Sequence, residues 1–194
     1  MGNLINRSII CVSGMTGSGK STVAKRLADK YGLDYFSGGN ALRALAQEKG
    51  YNSDMNGWWE SAEGLNFLQQ RMREPEFDRR IDNKLLELAK KGNIVLDSWT
   101  MPWLLNEGFK IWLDASPQVR AKRVVMRDAI SNEEALKALT EKDEKTRQIY
   151  RRLYGFELGY DFSPFNLVLA TDGLEPDEVF YAVYLVTDRL VFGE

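Results

Sequence analysis

Apolar and polar positions along this chain follow two different periods. Five short runs, "SIICVS" (8–13), "DYF" (34–36), "NIVLD" (93–97), "FKIWLD" (109–114) and "NLVLA" (166–170), are rich in β-branched, aromatic and other apolar residues. Each is too short for a helix and reads as a strand. Between them apolar positions recur at helical spacing, in "VAKRLADKYG", "NALRALAQEKG", "WWESAEGLNFLQQRMR" and "EPEFDRRIDNKLLELAKKG", then from about 117 to 154, and finally in "PDEVFYAVYLVTDRL". Pro75 near a start and Gly92 at a stop follow the end preferences of helices. The final helix is expected to lay its Val, Phe and Leu face on the sheet. Strands alternating with helices predict an α/β fold, a parallel sheet with helices on both faces. The helical stretch from Gly39 to Gly92 exceeds what a crossover between parallel strands needs. It reads as an inserted, movable helical subdomain, about 39–91, in a core formed by 1–38 and 92–194.

Composition narrows the chemistry. At 194 residues the chain suits one domain, and a net charge of −2 argues against a general nucleic-acid or membrane-surface partner. The single cysteine, Cys11, sits in an apolar run, as a buried small hydrophobe in a reducing, cytoplasmic compartment would. The N-terminus has no apolar leader segment, and no window is long enough to span a membrane. With no exposed heptad, the chain is expected to be a monomer. With no histidine and one cysteine, imidazole catalysis and thiolate zinc sites are excluded. Carboxylates, Lys, Arg, hydroxyls, backbone amides or a hard cation must do the work.

The densest signal follows the first strand. Gly14, Met15, Thr16, Gly17, Ser18, Gly19, Lys20 and Ser21 fit G-x-x-x-x-G-K-[ST], with Thr22 next and a helix after it. Glycines let successive N–H groups turn inward on phosphate oxygens, and the helix start adds positive charge. Lys20 is expected on the β- and γ-phosphates and the Ser21 hydroxyl on Mg²⁺. "NIVLD" ends in Asp97, a carboxylate at a strand's C-terminal edge, placed to hold the metal or its water. ATP or GTP is therefore the first ligand. No N-K-x-D base-reading motif is present, which turns the reading from a switch to a kinase with its own small substrate.

The acceptor side is read from "YFSGGNALRALAQEKG", a strand, a tight Ser37-Gly38-Gly39 turn and a helix carrying Arg43, a phosphate fork. The chain here resembles the nucleoside-monophosphate kinases of the P-loop superfamily, and among them the archaeal-type cytidylate kinases. "GMTGSGKSTVAKRLADKYGL", "SGGNALRALAQEKG", "DRRIDNKLLELAKKGNIVLD", "KIWLDASPQVRAKRVVMRD" and "YRRLYG" carry the resemblance nearly end to end. It implies a P-loop three-layer α/β sandwich with a five-stranded parallel sheet, a helical insert that binds the monophosphate, and a short lid, about 127–150. It implies transfer from ATP with Mg²⁺ to CMP, dCMP or UMP, with Ser37 and Arg43 holding the acceptor and Arg123 and Arg127 acting from the lid. Two positions depart from the family: Ser98 and Trp99 stand where it has Gly-Arg, and Asn40 where it has Asp. An acceptor other than a nucleotide, or a regulatory module that binds ATP without turnover, therefore stays open beside the kinase reading.

Other cations and aromatics complete the candidates. Arg120, Arg123 and Arg127 fall at i, i+3, i+7 on one helix stripe, which needs anions, supplied either by substrate phosphates or by neighbouring carboxylates. Among Arg147, Arg151 and Arg152, one or two are expected on phosphate, with Arg147 and Arg151 the candidates. Arg79 and Arg80 either reach the acceptor phosphate or form surface pairs. Of the five tryptophans, Trp58, Trp59 and Trp112 read as packing, and Trp99, beside the metal-side strand, as a wall of the site.

Overall fold

The computed structural model describes residues 7–54, 57–128 and 131–193. The N-terminal residues 1–6, where the absence of a leader is expected, lie outside them, as do 55–56 in the expected insert, 129–130 in the expected lid, and residue 194. Five parallel strands form one sheet: β1 (Ile9–Ser13), β2 (Asp34–Ser37), β3 (Ile94–Asp97), β4 (Phe109–Asp114) and β5 (Leu167–Ala170), in the spatial order β2-β3-β1-β4-β5. The all-buried patterns of β1 and β3 explain their continuous apolar sequence, because helices cover both faces of a central strand. The edge strand β5 alternates half-buried with exposed positions.

Side-chain alternation on β1 divides the core. Ile10 and Val12 face α1 (Lys20–Tyr31) and α8 (Pro176–Thr187), where Val23, Leu27, Val179 and Val183 pack on them. Ile9 and Cys11 face the other way, onto Leu85 and Ala89 of α4 (Glu76–Ala89) and Met101 of α5 (Met101–Leu104). α2 (Gly38–Glu48), α3 (Ala62–Arg73) and α4 fill the stretch between β2 and β3, and Leu45, Ala46, Trp58, Phe67 and Phe77 give it a small core of its own. α6 (Pro117–Asp128) and α7 (Asn132–Tyr154) lie between β4 and β5. Trp112 is fully buried beneath α3 and α7, as strand packing predicts. Among the described residues no helix is long and apolar enough to cross a membrane.

Three details differ from the sequence reading. "WWE" is a separate 3₁₀ turn, and α3 starts only at Ala62, because the Ser61 hydroxyl caps it by accepting from the Gly64 amide at 3.2 Å. Gly64 permits that corner, since a Cβ there would lie 2.1 Å from the Trp58 carbonyl oxygen. α5 has no counterpart among the expected helices. It is a four-residue turn begun by Ser98, whose Oγ accepts from the Thr100 and Met101 amides at 3.2 and 3.3 Å. On the C-terminal helix, Val179 and Val183 pack inward, but Leu185 and Leu190 point to solvent.

Leu27 is fully buried between α1 and the sheet. Leu27→Ala should lower the unfolding free energy by about 2–5 kcal/mol in urea denaturation, since the sheet cannot collapse onto the space left. A loss below about 1 kcal/mol would show that this layer relaxes.

Candidate functional site

The sheet order reverses around β1, and a crevice opens there at the C-terminal strand ends, as in other open α/β sheets. Its volume is about 1010 Å³, and Thr16 to Thr22 form one wall. That loop is shaped by close backbone approach. A Cβ on Gly14 would lie 2.5 Å from the Leu113 carbonyl oxygen, and one on Gly17 2.9 Å from that of Arg120. Met15 turns down into the core, whereas the Ser18 hydroxyl is buried with no hydrogen-bond partner among the described residues. α1 begins at Gly19 without a side-chain cap, so its first amides have no capping side-chain oxygen at that position. An uncapped helix start, an orphaned hydroxyl and a backbone cradle suit a phosphate chain.

Strand register brings the remaining groups alongside. Val12 pairs with Asp97 and Ser37 with Asp97, so three strands end at one level. Asp97 Oδ2 accepts from the Ser21 hydroxyl at 2.6 Å and from the Tyr35 hydroxyl at 3.1 Å. A hydroxyl and a carboxylate beside a phosphate cradle are the hard oxygen donors that Mg²⁺ takes together with substrate oxygens. Among the described residues no cluster of three His, Cys, Asp or Glu offers an alternative metal centre. Burial holds the Lys20 ammonium below the ordinary lysine pKa, with Asp97 opposing the shift. Its Nζ lies 5.4 Å from the centroid of the Trp99 ring, and the Trp99 indole N–H donates to the Gly14 carbonyl at 2.7 Å. Trp99 thus lines the crevice as expected and also ties the end of β3 to the phosphate loop.

At the end of β2, the Ser37 hydroxyl caps α2 through the Asn40 amide at 3.2 Å. Arg43 lines the crevice, and its Nε donates to the Ser53 carbonyl. Ser98 is buried and committed to the α5 turn. The floor is built by residues the sequence reading did not select. Arg71 and Asp78, both about 99% buried, form a two-pronged pair at 3.1 and 2.5 Å, and Arg71 Nη2 also reaches the Tyr150 hydroxyl at 3.3 Å. Beside them Asp82 accepts from the Thr100 hydroxyl at 2.5 Å and the Tyr154 hydroxyl at 2.6 Å. Burial raises the Asp82 carboxyl to about 6, against the two hydroxyl bonds that favour the anion. A signal for these residues was present: Arg71 continues the apolar stripe Gly64, Phe67, Leu68 of α3, and Asp78 and Asp82 share the stripe Phe77, Leu85, Ala89 of α4. A charge in the buried phase of a helix is costly unless paired, and so marks a built site.

The cations divide into three groups. Arg120 is buried against Asp143 at 2.7 Å and the Thr16 carbonyl at 3.1 Å, so it braces the loop from behind. Arg123 donates to the carbonyls of Ser18 (3.3 Å) and Thr171 (2.9 Å) and to the Thr171 hydroxyl (3.0 Å). Arg127 enters the crevice and meets Glu60 Oε2 at 3.1 Å. Lys142, also missed in the sequence, donates to Glu60 Oε1 at 2.9 Å and lies 5.2 Å from the Trp59 ring centroid. Glu60, its side chain 2% exposed, therefore stands between two cations from α6 and α7, close enough to Lys20 to influence its charge. Arg147 and Arg151 are not part of the crevice wall. Arg147 Nε donates to the Leu158 carbonyl at 3.2 Å, and Arg151 pairs with Glu157 at 2.9 Å in solvent, while Arg152 reaches the Met72 carbonyl at 3.3 Å. Arg79 and Arg80 form surface pairs with Glu76 and Glu48.

Residues 9–173 match the model of the cytidylate kinase-like family. The cytidylate kinase of Pyrococcus horikoshii is 36% identical over 186 residues, which cover 95% of this chain and 91% of that protein. That of Thermococcus kodakarensis is 36% identical over 183 residues, covering 94% and 89%. In fold, the chain is similar to a shikimate kinase from Bacteroides thetaiotaomicron (TM-score 0.58, 17% identity, 93% of this chain and 98% of that one). It is also similar to a gluconokinase from Sinorhizobium meliloti (TM-score 0.53, 16% identity, 96% and 95%).

Two outcomes follow from the charges. Glu60 neutralises cations that a triphosphate would otherwise meet, so Glu60→Gln should tighten ATP binding by about 1 kcal/mol, roughly fivefold in Kd by titration calorimetry. Weaker binding would mean that Glu60 holds those cations in their working positions. For Asp82, an exposed carboxyl titrates near 3.8 and the folded one near 6. The folded state therefore takes up the proton first: this group favours folding most below about pH 3.8, and the contribution is lost as pH rises through about 6. In urea denaturation, the unfolding free energy of Asp82→Asn relative to wild type should climb by up to about 3 kcal/mol between about pH 4 and about pH 7. A pH-independent difference would place the titration elsewhere.

Proposed function

The chain belongs to the cytidylate kinase-like family, and on that premise we propose that it transfers the terminal phosphoryl group of ATP to the phosphate of a pyrimidine nucleoside monophosphate. CMP or dCMP is the preferred acceptor and UMP the next, giving the diphosphate and ADP. The observation that carries this reading is the shape of the crevice: one continuous space joins the phosphate cradle, past Asp97 and Trp99, to the buried polar floor of Arg71, Asp78 and Asp82. A donor and a second, smaller substrate fit such a space end to end.

The chemistry suits a chain without histidine. A phosphate monoester oxygen is already ionised, so no general base is required, and catalysis rests on positioning and charge neutralisation. The amides at the start of α1 and of the phosphate loop take the β- and γ-phosphate oxygens, and Lys20 reaches over them. Its burial makes each contact with an anion stronger than it would be in water. Arg127 and Lys142 exchange Glu60 for oxygens of the transferred group. Arg123, tied to Ser18 and Thr171, holds the loop at its working curvature. Ser21 and Asp97 would hold Mg²⁺, which would supply charge neutralisation for the phosphate chain. On the acceptor side Arg43 and the Ser37 turn face the incoming monophosphate. The insert, about 39–91, and the lid segment, about 127–150, close on the pair and expel water that would otherwise accept the phosphoryl group.

The test is ADP release with Mg·ATP against CMP, dCMP, UMP, AMP and GMP, with Lys20→Ala as the blank. CMP or dCMP should stimulate release about 100-fold or more, and the Lys20→Ala variant should lose at least about 100-fold of that rate. ATP binding with no stimulation by any monophosphate would overturn the kinase reading in favour of a different acceptor or a non-catalytic module.

A further inference from the structure

The polar floor of the crevice bears on which base the acceptor carries, an inference that rests on the kinase reading above. Arg71, Asp78, Asp82 and Tyr150 are each more than nine-tenths buried, yet all line the crevice. Burying an ion pair seldom stabilises a fold more than apolar packing of the same volume would, so its presence calls for another use. The bonding leaves vacancies of defined polarity. Arg71 spends Nε and Nη2 on Asp78 and Tyr150, and its Nη1 makes no hydrogen bond to a described residue. Each Asp82 oxygen receives one hydroxyl, from Thr100 or from Tyr154, and a carboxylate oxygen accepts two. Tyr154 lies outside the crevice wall and holds Asp82 from behind. Above this floor Leu42, Ile81, Leu85 and the Trp99 ring supply apolar and aromatic walls suited to a flat ring.

We propose that the floor reads the pyrimidine directly, Asp82 accepting the 4-amino group of cytosine while Arg71 Nη1 donates to the adjacent ring nitrogen or the 2-carbonyl. Cytosine presents a donor beside two acceptors along that edge. Uracil presents a carbonyl oxygen in place of the amine, which would face the carboxylate with no proton between them. Asp78 orients Arg71, and Thr100 and Tyr154 orient Asp82, so the last two are positioning residues for the base contact. The Arg that this chain lacks after Asp97 is then no loss to base recognition, because the reading groups come from α3 and α4.

The experiment compares kcat/KM for CMP and UMP in the full chain, its Asp82→Asn variant and its Tyr154→Phe variant. Wild type should prefer CMP by at least tenfold. Asp82→Asn offers an amide N–H to the uracil oxygen, so the CMP-to-UMP ratio should fall by about 10- to 100-fold, mostly through KM for the monophosphate, with KM for ATP unchanged. Tyr154→Phe keeps the charge but frees the carboxylate to turn, and should cut the ratio several-fold. A folded Asp82→Asn enzyme whose ratio stays within twofold of wild type overturns the proposal. If that variant does not fold, equal losses on both substrates in Tyr154→Phe overturn it instead. A wild-type chain silent with every monophosphate sinks the kinase reading itself, a different result from an active enzyme whose base preference does not move.

Discussion

The pairing of β1 with both β3 and β4 is the constraint on which the site depends. Because the strands are parallel, their C-terminal ends share one edge, and the register fixes what meets there: Val12 beside Asp97, and Ser13 beside Trp112. The loop that leaves β1 must then turn sharply over Leu113, and only glycine at 14 lets it pass. Everything later in the chain that touches phosphate chemistry is aimed at this edge. Asp97 meets Ser21 because both belong to elements anchored at it, and Trp99 can bond the Gly14 carbonyl because β3 ends one strand away. A one-residue slip of β3 would put Asp97 on the opposite face and leave Ser21 without its partner.

Charge burial is the second organising cost. α3, α4 and α7 each carry ionised residues in the stripe that packs inward: Arg71 on α3, Asp78 and Asp82 on α4, Lys142 and Asp143 on α7. None is left alone, since Arg71 meets Asp78, Arg120 meets Asp143, Lys142 meets Glu60, and Asp82 accepts from the Thr100 and Tyr154 hydroxyls. The first two pairs join neighbouring helices, whereas Lys142 on Glu60 and Arg71 on the Tyr150 hydroxyl tie the stretch between β2 and β3 to the stretch between β4 and β5. Apolar residues of equal size would pack as well, but they would give the crevice neither donors nor acceptors.

How much could be read in advance follows from the same physics. The strands and the phosphate loop were legible because strand burial and loop curvature are local: continuous apolar runs and glycines at fixed spacing need no knowledge of the rest of the chain. The arginines were not. Arg120, Arg123 and Arg127 share a stripe, yet α6 sends Arg120 behind the loop to Asp143, while Arg123 and Arg127 both line the crevice and end on different partners, Thr171 and Glu60. Helical spacing gives direction, and the partner at the end of a long flexible side chain is a tertiary fact. Arg147 shows the limit in the other direction, a cation near the right helix whose bond goes to the Leu158 carbonyl. Lys142 and Asp82 could have been found by asking which charges fall in the buried phase of a helix, a question that counting basic residues does not pose.

The partners of the cations also separate fixed from exchangeable ones. Arg123 and Arg120 donate to backbone carbonyls of the phosphate loop and its neighbours, and a backbone carbonyl cannot leave without moving the loop itself. Lys142 ends on Glu60, a side chain of the short turn before α3, on an element separate from the sheet, and Arg127 reaches the same carboxylate while also holding Asp128 with two shorter bonds. A phosphoryl oxygen carries more charge than a peptide carbonyl and competes on equal terms with a carboxylate, so it displaces Glu60 far more readily than it displaces Thr171 or Ser18. The two loop arginines therefore brace the loop through its own backbone. The contacts to Glu60 run between side chains, and they fasten the turn that carries Trp58 and Trp59 to α7, so under the proposed function a change of partner there would be felt by that turn. Under the proposed function, closure of the crevice and neutralisation of the transferred charge would in this way be the same exchange of anions.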